Sequence, residues 1–218
     1  MKIIVCLKEV IDTALSLDFG LTNNVIFREG LPQRLNPPDA AALAMALEIK
    51  GAEITAVSIG EVGAESYLRN TVATGAAKAV RIRDKDCPAL SPYQKALLLS
   101  GLVNISGADI VLTGARSLDT ANGQVGPMLA ACLGWPCVYD VTAIETDKAT
   151  GLVLTKDIGR GEREKLKCGL PAVLTIRGEG KPPYASLDKL IESKSAEIPV
   201  LSSNDLGIAP EALKKAAG

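Results

Sequence analysis

The chain of 218 residues is long enough for one well-buried domain with an appendage. Its apolar share is 47%, drawn from Ala, Val, Ile and Leu far more than from aromatics, and its 24 basic and 25 acidic residues almost cancel, which argues against a nucleic-acid binder that works by bulk charge. No histidine is present, so Ser-His-Asp and Cys-His catalysis, imidazole proton shuttles and His-ligated metals are excluded together.

Residues 3–7 read as a fully buried first strand, and residues 17–28 as a hairpin turning at Asn23-Asn24, a residue type that tolerates positive φ. Asn36-Pro37-Pro38-Asp39 opens a helix: Asn36 is placed to cap it, and proline suits a first turn. That helix stops at Gly51. Strand and helix then alternate, with strands predicted at 53–59, 79–83, 109–113 and 136–142, and helices at 61–74, 92–105 and 124–133. Repeated βα units with short links imply a parallel sheet covered by helices on both faces. Ligands of such sheets sit beyond the carboxyl ends of the strands.

After residue 142 the pattern changes. A hairpin of 144–147 and 152–156 is expected to turn at Ala149-Thr150-Gly151, followed by strands at 165–167 and 172–177. Beyond Gly178 the chain is polar, with one short helical patch at 186–193. The expectation is an α/β domain over residues 1–179 and an extended arm over 180–218. The arm displays Tyr184, Leu187, Leu190 and Ile191 without a core of its own, which suggests contact with a partner.

Cys6, Cys87, Cys132, Cys137 and Cys168 are odd in number and include no CxxC pair. Their expected role is as small core residues in a reducing compartment. No metal site is expected. The N-terminal apolar run is too short for a secretory core, and no run approaches the roughly 20 apolar residues that span a bilayer. A cytoplasmic protein that is not membrane-embedded is expected.

The stretch with most chemical content runs from Thr113 to Met128. A buried strand ends in Thr113-Gly114, a loop of Ser, Asp, Thr and Asn follows, and a helix starts near Gln124. Gly114, Gly123 and Gly126 permit close approach of a ligand or a neighbouring backbone. Unpaired N–H groups at a helix start favour an anion, so the loop reads as a phosphate cradle. Asp119 then braces or caps the loop, because a carboxylate beside phosphate would repel it. An ordinary βα loop whose polar residues satisfy the backbone is the other reading, and local chemistry leaves both open. GxxxxGK[ST] is absent. Gly159-Arg160-Gly161 starts like GxGxxG, but Lys165 stands where the third glycine belongs.

The order of several short motifs resembles the β subunit of electron transfer flavoproteins, over nearly the whole chain to about residue 205. They are Ile-Val-Cys-Leu-Lys-Glu-Val-Ile-Asp12, Arg34-Leu-Asn-Pro37, Thr55-Ala-Val-Ser-Ile-Gly60, Thr74-Gly-Ala-Ala77 and Leu112-Thr-Gly114. Leu118-Asp119, the run Asn122 to Met128, Leu170-Pro-Ala-Val-Leu-Thr175 and Pro183-Tyr-Ala-Ser-Leu187 continue the series. The resemblance implies an α-hydrolase-like Rossmann-type fold and a heterodimer. It implies an electron carrier without catalytic residues of its own, with FAD held mainly by an α subunit and AMP, or a second FAD in electron-bifurcating members, held by this chain. The family's nucleotide contacts fall on Cys6, on Asn36, Pro37, Pro38 and Asp39, on Ile59, and on Gly114. They continue through Asp119, Thr120, Ala121, Asn122, Gly123, Gln124 and Val125. Its recognition arm falls on Lys181 to Ser193, with Tyr184 and Leu187 as the partner-binding residues and Leu187 at the position that anchors on a dehydrogenase; the other reading of Leu187 is packing against the α subunit. Gln124-Val-Gly-Pro127 is closer to the nitrogen-fixation-linked and bifurcating branch, which favours FAD.

Departures from the family's pattern are also present. Ala121 replaces a second acidic residue, and Ile158-Gly-Arg-Gly-Glu162 replaces an acidic Gly-Gly segment. The lysine-rich stretch after the recognition leucine is diluted to Glu192-Ser-Lys-Ser-Ala-Glu197. Two other functions fit the sequence less well. An ATP-hydrolysing or adenylating enzyme of the related fold would want a glycine- and serine-rich loop where Lys8-Glu-Val-Ile-Asp12 stands. A stand-alone ATP-binding stress-type module has no use for the strands after Thr142 or for the arm.

Overall fold

Alternate side chains of the first strand, β1 (Lys2–Cys6), enter two separate cores: Ile3 and Val5 one, Ile4 the other. That is the signature of a strand covered on both faces. The computed structural model describes residues 1–12, 21–22, 25–26, 31–84, 90–147 and 151–216. Following β1 are β2 (Glu9–Ile11), β3 (Leu21–Thr22), β4 (Val25–Ile26) and β5 (Gln33–Leu35), then α1 (Pro37–Glu48). β6 (Glu53–Ile59), α2 (Ala64–Thr74), β7 (Lys78–Ile82), α3 (Pro92–Ser106), β8 (Ile110–Gly114) and α4 (Val125–Leu133) complete the alternating part. β9 (Cys137–Asp147), β10 (Gly151–Gly159), β11 (Glu162–Cys168) and β12 (Ala172–Ile176) follow, and α5 (Leu187–Lys194), β13 (Val200–Leu201) and α6 (Pro210–Lys215) end the chain.

Among the described residues the main sheet has nine strands, in the order β11-β10-β9-β12-β8-β1-β6-β7-β13. Pairing is parallel from β9 to β13 and antiparallel in the β9-β10-β11 extension. α1 and α2 pack on the face of Ile3 and Val5, whereas α3 and α4 pack on the face of Ile4. This is the α/β architecture expected from the sequence. The chain leaves β1 through α1 to β6 on one side, and returns from β7 through α3 to β8 on the other. β1 and β8 are therefore the strands between which the winding direction reverses, and the loops diverge at their carboxyl ends.

One strand differs from expectation. Strands foreseen at 136–142 and 144–147 are the single strand β9. A bulge at Tyr139-Asp140, with Asp140 at φ 55°, bends the strand without ending it, so β9 pairs with β12 first and with β10 afterwards. Gly159-Arg160-Gly161 is the tight β10–β11 turn, all three residues having positive φ. The hairpin foreseen at 17–28 is seen in the pairing of Leu21 with Ile26 and Thr22 with Val25, while its Asn23-Asn24 turn lies outside the described residues. Ala149 and Thr150, where a second turn is expected, lie outside them too.

The segment after Gly178 carries more regular structure than the single helical patch foreseen. α5 packs on α2, with Arg69 Nε donating to the Ala196 carbonyl at 3.3 Å. β13 extends the sheet beside β7. α6 sits at the start of α3, where the Gln94 side-chain amide donates to the Leu213 carbonyl at 3.0 Å and Ser91 Oγ to the Ala216 carbonyl at 3.0 Å. Two-residue strands and six-residue helices carry too little periodicity to be read from sequence.

Candidate functional site

A cleft of about 460 Å³ opens where β1, β6 and β8 end, at the reversal point of the sheet. Its volume is within the range of roughly 300–1,000 Å³ usual for small-molecule and cofactor sites. Cys6, Val57 and Ile59 form part of its apolar wall, and Leu90 and Leu99 contribute from the α3 side.

Asp39, in the first turn of α1, ties the strand ends together. Its Oδ1 accepts from Gly114 N at 2.9 Å and from Asn36 Nδ2 at 3.0 Å, and its Oδ2 accepts from Lys8 N at 2.8 Å. Burial pushes its carboxyl up to about 7, against the pull of these donors and of the Lys8 charge in the other direction. The Cys6 thiol beside it is pushed well above its ordinary range, first by burial and then by the Asp39 charge, so it stays protonated. Gly114 is required here because a Cβ would collide with Asp39 Oδ1 and crowd Pro38 Cβ at 3.0 Å. Gly114→Ala is expected to lower stability by about 1–3 kcal/mol through overpacking, read as a shifted urea midpoint at constant slope. An unchanged midpoint would show that Asp39 can retreat.

Side chains from three other elements hold the 115–124 loop. Asn36 occupies the N-cap position of α1, but its side chain makes no cap bond; it donates to the Arg116 carbonyl at 3.0 Å and accepts from Leu118 N at 3.1 Å. The expected capping role is thus replaced by a loop anchor, because a short amide reaches the neighbouring loop as readily as its own helix. Lys8 Nζ meets Asp119 Oδ1 at 2.6 Å, Ser117 Oγ at 3.1 Å and Thr120 Oγ1 at 3.4 Å. Tyr139 donates its hydroxyl to the Gly123 carbonyl, reaching it from the β9 bulge.

α4 begins at the same cleft. Its N-cap residue Gln124 makes no side-chain cap bond, and Val125 and Gly126 line the cavity. Gly126 lets the helix start come down on the ends of β8 and β12: a Cβ there would lie 2.6 Å from Thr175 Cγ2 and 2.9 Å from Thr113 Oγ1. Thr113 Oγ1 is buried and makes no hydrogen bond among the described residues. An uncapped helix start beside an unpartnered hydroxyl suits an oxyanion.

Of the residues singled out from sequence, Cys6, Asn36, Asp39, Ile59 and Gly114 line the cleft from the strand ends. Thr120, Asn122, Gly123, Gln124 and Val125 line it from the loop and α4. Pro37 and Pro38 build the first turn of α1 behind the wall, Asp119 turns to Lys8, and Ala121 is an exposed residue at φ 51°. Tyr184 and Leu187 are far from these strand ends in sequence and are 96% and 71% exposed. Sequence reasoning missed Lys8, Lys95 and Arg116 on the cleft wall. Lys8 carried a usable signal, since it directly follows a buried strand that ends at the ligand edge of the sheet. Among the described cysteines Cys168 is buried, Cys6 and Cys132 are half-buried, the Cys6 thiol pointing inward, and Cys137 is exposed. Cys87 lies outside the described residues.

Residues 23–206 match the family described as the electron transfer flavoprotein domain. Subunit CarD of the caffeyl-CoA reductase-Etf complex of Acetobacterium woodii is 31% identical over 218 residues, which cover 97% of this chain and 82% of that protein. Electron transfer flavoprotein subunit beta of Clostridium acetobutylicum is 32% identical over 212 residues, covering 95% and 81%. Protein FixA of Rhizobium meliloti is 29% identical over 222 residues, covering 97% and 76%.

Proposed function

This chain belongs to the electron transfer flavoprotein family as a β subunit, and from that premise we propose that its cleft holds the adenine nucleotide of a heterodimer whose working FAD is carried mainly by the α subunit. Its role is electron transfer. The observation that carries the nucleotide reading is the uncapped start of α4 beside the unpartnered Thr113 hydroxyl, at the reversal point of a parallel sheet. A phosphate fits this donor set. Asn122, Gly123, Gln124 and Val125 would border it, Asp39 and Asn36 would hold the surrounding loops, and Cys6 and Ile59 would supply apolar contact.

FAD, when bound, supplies the ring that takes up and releases electrons, and the protein binds, orients and tunes it. This subunit is a carrier without catalytic residues of its own: it has no histidine, and burial keeps the Cys6 thiol protonated. Its setting is cytoplasmic; no helix among the described residues is long and apolar enough to cross a membrane. Residues 180–218 serve partner recognition, with Tyr184 and Leu187 facing a dehydrogenase.

A second FAD in the same cleft is the alternative ligand. Gln124-Val-Gly-Pro127 favours it, and Thr120, Asn122 and Gln124, which line the cleft, are exposed. Releasing the nucleotides from the purified heterodimer and identifying them decides between the two. One FAD with one AMP establishes the simple carrier, and two FAD establish the alternative. A heterodimer holding one FAD and no further adenine nucleotide would sink the reading.

A further inference from the structure

We propose that Lys8 is a positioning residue for the nucleotide: its ammonium ties the end of β1 to the 115–124 loop through Asp119 and so sets the shape of that wall without meeting the ligand's phosphate. The proposal rests on the nucleotide reading of the cleft given above.

A lysine ammonium has three donors. Here three oxygens of one loop surround it, Asp119 Oδ1 at 2.6 Å, Ser117 Oγ at 3.1 Å and Thr120 Oγ1 at 3.4 Å. The Asp119 side chain is 6% exposed, so the pair is shielded on the acidic side and the bond is charge-assisted. Around this centre the loop closes on itself: Thr120 N donates to Asp119 Oδ1 at 2.8 Å, Ser117 Oγ and Thr120 Oγ1 are 2.8 Å apart, and Ala121 N donates to the Ser117 carbonyl at 2.9 Å. Ala121 is held at φ 51°, a conformation that a residue with a Cβ adopts only where its surroundings enforce it. The other end of the lever is fixed as well, because Lys8 N donates to Asp39 Oδ2 at 2.8 Å. A phosphate contact by Lys8 would have to break this arrangement, whereas the Val125 and Gly126 N–H groups at the start of α4 border the cleft and need no such break.

The charge on Asp119 makes the proposal testable. Asp119→Asn removes a negative charge near the cleft and releases the Lys8 ammonium, so direct phosphate contact by Lys8 predicts tighter binding of AMP. Positioning predicts the opposite. In the heterodimer stripped of its nucleotide, Asp119→Asn and Lys8→Met should each weaken AMP binding about tenfold. The double variant should be no weaker than the weaker single, and Lys8→Arg should restore most of the affinity. Adenosine, which lacks phosphate, should show the same losses. Isothermal titration gives the affinities, and melting midpoints confirm that each variant is folded; if Lys8→Met does not fold, Asp119→Asn and Lys8→Arg carry the test. Unchanged or tighter AMP binding by Asp119→Asn overturns the positioning role while leaving the cleft's function intact. A wild-type heterodimer that binds no AMP and no FAD in this chain removes both.

Discussion

Asp39→Ala is expected to strip this subunit of its nucleotide and to lower its stability by about 2–5 kcal/mol. The substitution removes one acceptor from each of three donors, Gly114 N, Asn36 Nδ2 and Lys8 N, which lie on three different segments around the cleft. A single isolated hydrogen bond would matter far less. Acidity then distinguishes a charge effect from a packing effect. Burial raises the Asp39 carboxyl from 3.8 to about 7, so between those values the folded chain keeps a proton that the unfolded chain releases. Stability from this group is therefore fully present below about 4 and is lost as pH rises through 7. The loss caused by Asp39→Ala should be larger at pH 5 than at pH 8, and Asp39→Asn should flatten the dependence. Urea midpoints of the three proteins at both values provide the measurement, since other titrating groups cancel in the difference. A loss that grows from pH 5 to pH 8 would mean that the carboxylate is ionised throughout and that the three donors outweigh its burial.

Much of the architecture was legible because it rests on period and punctuation. β6 begins and ends where alternation and β-branching placed it, and α2 closes at Gly75, whose φ of 126° only glycine adopts readily. The cleft was legible in outline for the same reason, since strand ends and Gly114 are sequence-local features. What was hidden depends on side chains that reach across the chain. Nothing near Asn36 announces that its amide will anchor Arg116 and Leu118 instead of capping α1. Nothing near Tyr139 announces a bulge that turns its hydroxyl onto Gly123. Lys8 and Asp119 are 111 positions apart, and their ion pair exists only because β1 and β8 are neighbours in the sheet. Local propensity carries no trace of such pairs, and they set the detailed shape of the site.

Leu187→Ala is expected to reduce electron delivery from a dehydrogenase at subsaturating partner about thirtyfold, while flavin and nucleotide contents stay at wild-type levels. The reasoning starts from which side of α5 is already spent. Leu190 and Ser193 are the more buried residues of the helix, which packs on α2, and Ser186 caps its start by accepting from Lys189 N at 3.4 Å. Leu187 and Ile191, one turn apart, are left 71% and 57% exposed, with Tyr184 just ahead of them at 96%. A cluster of this kind on a capped helix is preorganised, so little ordering cost accompanies docking. Truncating a central apolar anchor of an interface commonly costs at least about 2 kcal/mol, which converts to the thirtyfold effect. On the function proposed above, the cluster faces either the dehydrogenase or the chain's own α subunit. Rates measured against dehydrogenase concentration, together with sedimentation of the heterodimer, separate them. Weakened dehydrogenase kinetics with an intact heterodimer assign the face to the electron donor. Normal kinetics with a dissociating heterodimer would place Leu187 at the subunit boundary and leave the recognition role to some other part of the chain.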